Sequence, residues 1–291
     1  MKRQVMDWVG KNVPIVLEVF RSSRLFQRSH ELYKFGEFRK DLIVQDLRDR
    51  WQSGVTDGGL PLPPAVLRYR VHGALDKASF LIVGRECAKD LGRLLSSVGR
   101  ELGSFQRTLD FGCGCGRVLR HFVGLPAGGR FYGSDIDASL IAWCQENLST
   151  FAEWSVNGFE PPLRYADATF DFVYGISVFT HLDEPLQRRW LAEIKRVMAP
   201  GGVAIFTVHG AYTHANIPSE ARATLQEKGF LFRSGQTGKL KWDGLPDFYQ
   251  TAYHTREYVE REWGKFLRVA KYEEQGMAGN QDAVVLVNEV A

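Results

Sequence analysis

Leu109-Asp110-Phe111-Gly112-Cys113-Gly114-Cys115-Gly116-Arg117 decides how this chain reads. An acid and three glycines, spaced G-x-G-x-G, stand where an apolar run from Arg107 to Phe111 gives way to helical periodicity at Val118, Leu119 and Phe122. A glycine turn between a strand and a helix lets a ligand come close to the backbone, because no Cβ intervenes. The helix expected behind it turns unpaired N–H groups toward an anionic ligand group. A dinucleotide fold wants G-x-G-x-x-G, with a pyrophosphate seated on the helix end. Here the third glycine comes one residue early, and Asp110 stands two residues before the first. That acid repels a pyrophosphate but suits a ligand carrying an ammonium group.

Further blocks follow in order. Arg130 to Asp137 reads as a second short strand ending in acids. Asp135 falls 25 residues after Asp110, near the place of a ribose-binding carboxylate in a nucleoside-binding βαβ unit. Asp137 is better placed to cap a helix opening at Ala138. Phe170 to Phe179 is an apolar stretch suited to a central parallel strand buried on both faces. Pro185 to Met198 has helical rhythm at Leu186, Trp190, Leu191, Ile194, Val197 and Met198, with Ala199-Pro200-Gly201-Gly202 as its stop. Gly202 to Val208 then reads as another buried strand.

The glycine turn resembles motif I of the class I S-adenosylmethionine-dependent methyltransferases. Ser177-Val178-Phe179-Thr180-His181-Leu182 and Pro200-Gly201-Gly202 resemble the later blocks of the same family. The resemblance covers roughly residues 80 to 210 and the C-terminus. It implies an α/β fold: a Rossmann-like, seven-stranded, mostly parallel sheet with an antiparallel last strand and helices on both faces. It also implies S-adenosyl-L-methionine as cofactor. Asp110 would meet its ammonium, Gly112, Gly114 and Gly116 would give backbone access, and Asp135 would take the ribose hydroxyls. Asn157 stands where the family often has an Asp toward the adenine amino group, and Ile136 and Ile176 would flank the adenine.

Hydrophobic content of 44%, charged content of 24% and a net charge of +3 are ordinary for a globular protein and leave no concentrated nucleic-acid stripe. The four cysteines, Cys87, Cys113, Cys115 and Cys144, lack zinc-like spacing; packing inside a reduced, cytoplasmic protein is the expectation. No apolar run reaches a membrane span, and Asp7 and Lys11 break any signal-peptide core. Residues 1–60 read as a helical extension and linker, and 61–291 as the main domain with an aromatic-rich insertion at about 210–264. In the extension, Val5, Trp8, Val9, Val16, Leu17 and Phe20 lie among basic residues. Helices packed on the main domain are the simpler reading, with peripheral membrane contact as the alternative. Oligomeric state is not readable here.

Methyl transfer from a sulfonium needs a positioned acceptor and, for a protonated acceptor, a general base. His181, His209 and His254 are the candidates, the first two because they follow the fourth and fifth strands, where open α/β sheets bind ligands. Asp183 and Glu184 beside His181 suit a helix dipole better than Mg²⁺, so no metal ligand is assigned and metal dependence stays open. Family analogy implies a small-molecule or sugar acceptor, with Trp242, Tyr249 and Tyr253 of the insertion as a wall of its pocket. A lipid or quinone acceptor is the alternative within enzymes. A non-catalytic cofactor-binding module is the alternative outside them, and glycine spacing disfavours a nicotinamide oxidoreductase.

Overall fold

The computed structural model describes residues 24–51, 58–125, 129–215, 217–233 and 250–289. The N-terminal apolar positions from Val5 to Phe20, Gly54 of the linker, and Trp242, Phe248 and Tyr249 of the insertion lie outside the described residues. The chain divides into two units, residues 1–53 and 54–291. In the first, α1 (Arg24–Trp51) is a 28-residue helix. It exposes Ile43, Leu47 and Trp51, one helical turn apart on one face.

The second unit opens with α2 (Ala65–His72) and α3 (Lys77–Ser96). Asp76 caps α3 by accepting from the Ser79 N–H at 2.7 Å, and Gly73 ends α2 in the left-handed region at φ 75°. Then come β1 (Arg107–Phe111), β2 (Arg130–Asp135), α4 (Ala138–Asn147), β3 (Ala152–Val156) and β4 (Phe170–Gly175). They are followed by α5 (Glu184–Val197), β5 (Met198–Val208), α6 (Ala211–His214) and α7 (Ser219–Lys228). The chain closes with β6 (Phe230–Arg233), β7 (Thr251–His254), α8 (Arg256–Trp263), β8 (Arg268–Met277) and β9 (Gln281–Val287).

Seven strands form one sheet in the order β3-β2-β1-β4-β5-β9-β8. β1 to β5 run parallel, and β9, the last in sequence, is antiparallel to both neighbours. This is the Rossmann-like sheet expected from the sequence. Its central strands are apolar because both faces are covered. Phe172 and Tyr174 pack with Phe80 and Leu91 of α3 and Ile141 of α4. Val173, one residue out of phase, packs on the opposite face with Trp190 and Ile194 of α5 and Trp263 of α8. Asp171 is tolerated at the start of β4 because its carboxylate accepts from the Gln106 and Arg107 N–H groups, at 2.7 and 2.8 Å.

Two local expectations change. No α-helix follows the glycine turn: residues 114–118 are a turn, and Leu119–Phe122 is one short 3-10 segment. Val123-Gly124, with Gly124 at φ 86°, stops it before a helix propagates. The turn's own backbone, not a helix N-terminus, therefore faces the ligand side. Strand β5 also begins at Met198 rather than Gly202, and a register shift between Phe170 and Phe172 takes up the early start.

The insertion builds a second, two-stranded antiparallel sheet from β6 and β7. It is tied to the main sheet where the His254 N–H donates to the His209 carbonyl at 2.9 Å.

Candidate functional site

The C-terminal ends of β1, β2, β3 and β4 open on one pocket, which is where a parallel α/β sheet binds ligands. Asp110, Gly112, Gly114, Asp135, Ile136, Asn157, Ile176 and His181 all line it. Four segments spread over about 70 residues of sequence thus converge because parallel strands bring their like ends to one edge.

The three glycines of the turn have φ of 79°, 55° and 72° for Gly112, Gly114 and Gly116. Side chains rarely adopt that region, so the turn requires glycine whatever it binds. Gly116 does not line the pocket, which corrects its reading as a ligand-access position. A Cβ there would press on the Trp154 ring and Leu148. Gly116 therefore serves packing beneath the turn.

Three carboxylates line the pocket, Asp110, Asp135 and Asp137, each tethered. Asp110 is buried and accepts from the Tyr174 hydroxyl at 2.8 Å. Burial pushes its pKa up to about 7, against the Tyr174 hydrogen bond, with Asp135 adding to the rise. Asp135 accepts from the Gly114 N–H at 2.8 Å through one oxygen and from the Asp137 N–H at 2.9 Å through the other. Burial raises its pKa too, and the two N–H donors oppose that. A carboxylate offers about four acceptor sites, so each oxygen keeps room for a ligand hydroxyl. Asp137 caps α4, accepting from Ser139 and Leu140 N–H, and pairs with Arg70 of α2. Asn157 accepts from the Ser134 hydroxyl at 2.7 Å and donates to the Gly158 carbonyl at 2.8 Å.

The raised Asp110 pKa has a stability consequence. Between pH 4 and 7 the folded chain holds a proton on Asp110 that the unfolded chain has lost. Stability therefore falls as pH rises through that window. Relative to wild type, Asp110→Asn should lose this fall, on the order of 2–4 kcal/mol across the window. Chemical denaturation at pH 5 and pH 8 checks it; parallel pH profiles for the two proteins would contradict it.

The three candidate histidines separate. His181 ends the 3-10 segment Phe179–His181. It is turned so that Nδ1 faces the Gln250 carbonyl at 2.7 Å. Nδ1 carries the proton in that geometry, leaving Nε2 as the acceptor. Burial pushes its pKa down to about 4, although the Gln250 carbonyl favours the charged form. His209 directly follows β5 but does not line the pocket; its Nδ1 donates to the Ala252 carbonyl at 3.2 Å.

His254 is fully buried and outside the pocket lining. Gln187 donates to the Phe179 and Leu182 carbonyls, so its amide oxygen accepts from His254 Nε2 at 3.0 Å. Burial holds the His254 pKa at about 3. His254 thus braces, through Gln187, the segment that presents His181. This corrects its reading as a candidate base.

Asp183 accepts from the Leu186 N–H as the cap of α5, and Glu184 accepts from the Tyr258 hydroxyl. Among the described residues no group of three or more His, Cys, Asp and Glu is arranged to hold a metal ion. All four cysteines are buried free thiols.

Sequence reading missed Arg70, Val71, Arg117, Phe159 and Trp190 in the lining. It also missed Ser177, which takes φ 60°. Two bonds anchor Ser177 there: its N–H donates to Thr207 Oγ1 at 2.8 Å, and its Oγ accepts from Gln281 at 2.7 Å. Arg117 follows the third glycine and was in plain view. Arg70 and Val71 come from a helix some 40 residues upstream, with no local signal.

The Rossmann-like sheet, the acid and glycine turn, and the carboxylate ending β2 are the features of a class I S-adenosylmethionine-dependent methyltransferase domain, the class that this chain resembles. S-adenosylmethionine is the cofactor of the class. Residues 109–206 match the family described as a methyltransferase domain. Over 115 residues, 39% of this chain, the sequence is 33% identical to a malonyl-[acyl-carrier protein] O-methyltransferase of Hahella chejuensis. The match spans 40% of that protein's length. Among solved structures, a Pyrococcus horikoshii protein shares the fold with a TM-score of 0.50 at 19% identity, covering 71% of this chain and 91% of that one. An S-adenosylmethionine-dependent methyltransferase of Clostridium acetobutylicum does so at 0.50 and 10% identity, covering 71% and 92%.

Proposed function

We propose that the chain transfers the methyl group of S-adenosylmethionine to an oxygen of a small-molecule acceptor, a carboxylate foremost. The observation that carries this is the convergence of Asp110, the Gly112–Gly114 turn, Asp135 and His181 on one pocket. When bound, the cofactor supplies a methyl group on a sulfonium. The residues fit it: Asp110 suits the ammonium, and Asp135 has acceptor sites left for two ribose hydroxyls. Gly112 and Gly114 admit the chain closely, and Ile136 and Ile176 offer apolar flanks to the adenine. Asn157 can accept from the adenine amino group through its carbonyl oxygen.

The acceptor class follows from His181. A neutral imidazole whose pKa is held near 4 accepts a hydrogen bond but is a weak base at neutral pH. It orients an acceptor better than it deprotonates a hydroxyl. A carboxylate arrives already ionised and needs no base. The relative named as a malonyl-[acyl-carrier protein] O-methyltransferase points the same way. A cytoplasmic setting goes with the four free thiols.

A membrane-borne acceptor is the second reading, favoured by the exposed Ile43, Leu47 and Trp51 stripe of α1. Residues 36–51 carry four acids and four bases, which gives an anionic surface no net attraction.

The test is an acceptor screen reading S-adenosylhomocysteine. It covers free and carrier-linked carboxylates, nucleotide sugars, oligosaccharides and phenols, with quinones offered in vesicles. Turnover on a carboxylate is expected, with His181→Ala lowering kcat by less than about tenfold, whereas loss of a general base costs about 10²–10⁴. Turnover confined to hydroxyl acceptors, with the larger loss, would overturn the carboxylate reading.

A further inference from the structure

We propose that Arg117, oriented by His72, holds the carboxylate at the methionyl end of the cofactor; this rests on the cofactor reading above. Arg117 lines the pocket close enough to Asp110 to lower that acid's pKa. It makes no ion pair with any carboxylate among the described residues. Its Nε is buried with no hydrogen-bond partner. The other arginine of the lining, Arg70, also has a buried Nε with no hydrogen-bond partner, but its guanidinium is paired with Asp137. A guanidinium in a pocket with a buried, unused donor is costly unless an anion completes it.

The chemistry of the missing anion follows from the neighbour. An α-amino acid carries ammonium and carboxylate on one carbon, so the protein must set an acid and a base side by side. Asp110 and Arg117 are such a pair. A planar guanidinium with several donors suits a carboxylate better than any other side chain does.

A chain of hydrogen bonds fixes the aim of Arg117. Its Nη1 donates to His72 Nδ1 at 3.1 Å, because a guanidinium can only donate. His72 Nδ1 is therefore unprotonated, and Nε2 carries the proton toward Ser79 Oγ at 3.0 Å. The Ser79 hydroxyl donates in turn to Asp76 Oδ2 at 2.6 Å. One neutral tautomer of His72 satisfies every link. Gly84 lets α3 close on this turn, since a Cβ there would strike the Arg117 carbonyl oxygen. His72, Ser79 and Asp76 lie outside the segment matched to the methyltransferase family, whereas Arg117 lies within it.

The experiment compares S-adenosylmethionine with its decarboxylated analogue, which keeps the ammonium and sulfonium, by isothermal titration on the full chain. Wild type should bind the complete cofactor about ten- to a hundredfold more tightly than the analogue. Arg117→Gln, which keeps an N–H donor for His72, should lose that advantage while binding the analogue as wild type does. His72→Phe should lose part of it, and His72→Gln, whose carbonyl can accept from Arg117, should restore it. Three results would overturn the proposal: equal wild-type affinity for both ligands, unchanged cofactor affinity in Arg117→Gln, or an equal loss of both ligands in that variant. Should Arg117→Gln not fold, the wild-type comparison alone decides. Wild type binding neither ligand overturns the cofactor reading itself, and this proposal with it.

Discussion

Gly114→Val is expected to abolish cofactor binding, with the dissociation constant for S-adenosylmethionine rising by more than about two orders of magnitude. Two independent effects add. Gly114 sits at φ 55°, which a β-branched residue adopts only at a cost of about 1–3 kcal/mol. Its new Cβ would also lie 2.6 Å from Val71 Cγ2, so α2 would have to retreat from the turn. Any backbone shift that relieves either conflict moves the Gly114 N–H away from Asp135, which it now reaches at 2.8 Å. Stability should fall by a similar few kcal/mol, since the seven-stranded sheet does not depend on the turn. Titration calorimetry beside thermal denaturation reads both quantities. Wild-type affinity in a folded variant would show that the turn does not face the ligand.

Asp135→Ala is expected to weaken cofactor binding by one to two orders of magnitude, about 1.5–3 kcal/mol. The substitution deprives two ribose hydroxyls of a charged acceptor. It also leaves the Gly114 and Asp137 N–H groups without theirs. The second consequence reports separately from the first: it lowers the melting temperature of the ligand-free protein. Asp135→Asn keeps one accepting oxygen and should fall between wild type and alanine in both measurements. Unchanged affinity in Asp135→Ala would move the ribose role to another acid, with Asp137 next in line despite its work as a helix cap.

Some of the site was legible because its signals are local. The turn needs glycine at fixed positions, and a carboxylate ending β2 lies a fixed number of residues on. Asp137 and Asp183 announce themselves as caps by standing just before a helical rhythm. Each of these depends on residues within a few positions of one another. The failures have equally specific causes. Val118, Leu119 and Phe122 are spaced as a helix face, yet Gly124 ends the segment after one turn. Gly116 belongs to the same motif as Gly114, but the bulk of Trp154, folded in from β3, makes its requirement one of packing. His254 has the look of a reactive histidine beside Tyr253 and Thr255, and it is sealed behind Gln187.

From the sequence alone came the sheet, its parallel core with one antiparallel strand, and the acid and glycine turn that marks the ligand edge. The turn and the buried central strands follow from hydrophobic period, backbone conformation and spacing, all of which act over short distances along the chain, whereas the seven-stranded sheet with its antiparallel strand is what the family resemblance implied. Only the tertiary structure decided which groups share the pocket. Tyr174 meets Asp110 across 64 residues, and His72 meets Arg117 across 45. It also decided that His181 faces the ligand side while His254 does not. Burial and long-range hydrogen bonding set those outcomes, and neither leaves a periodic trace in the order of the amino acids.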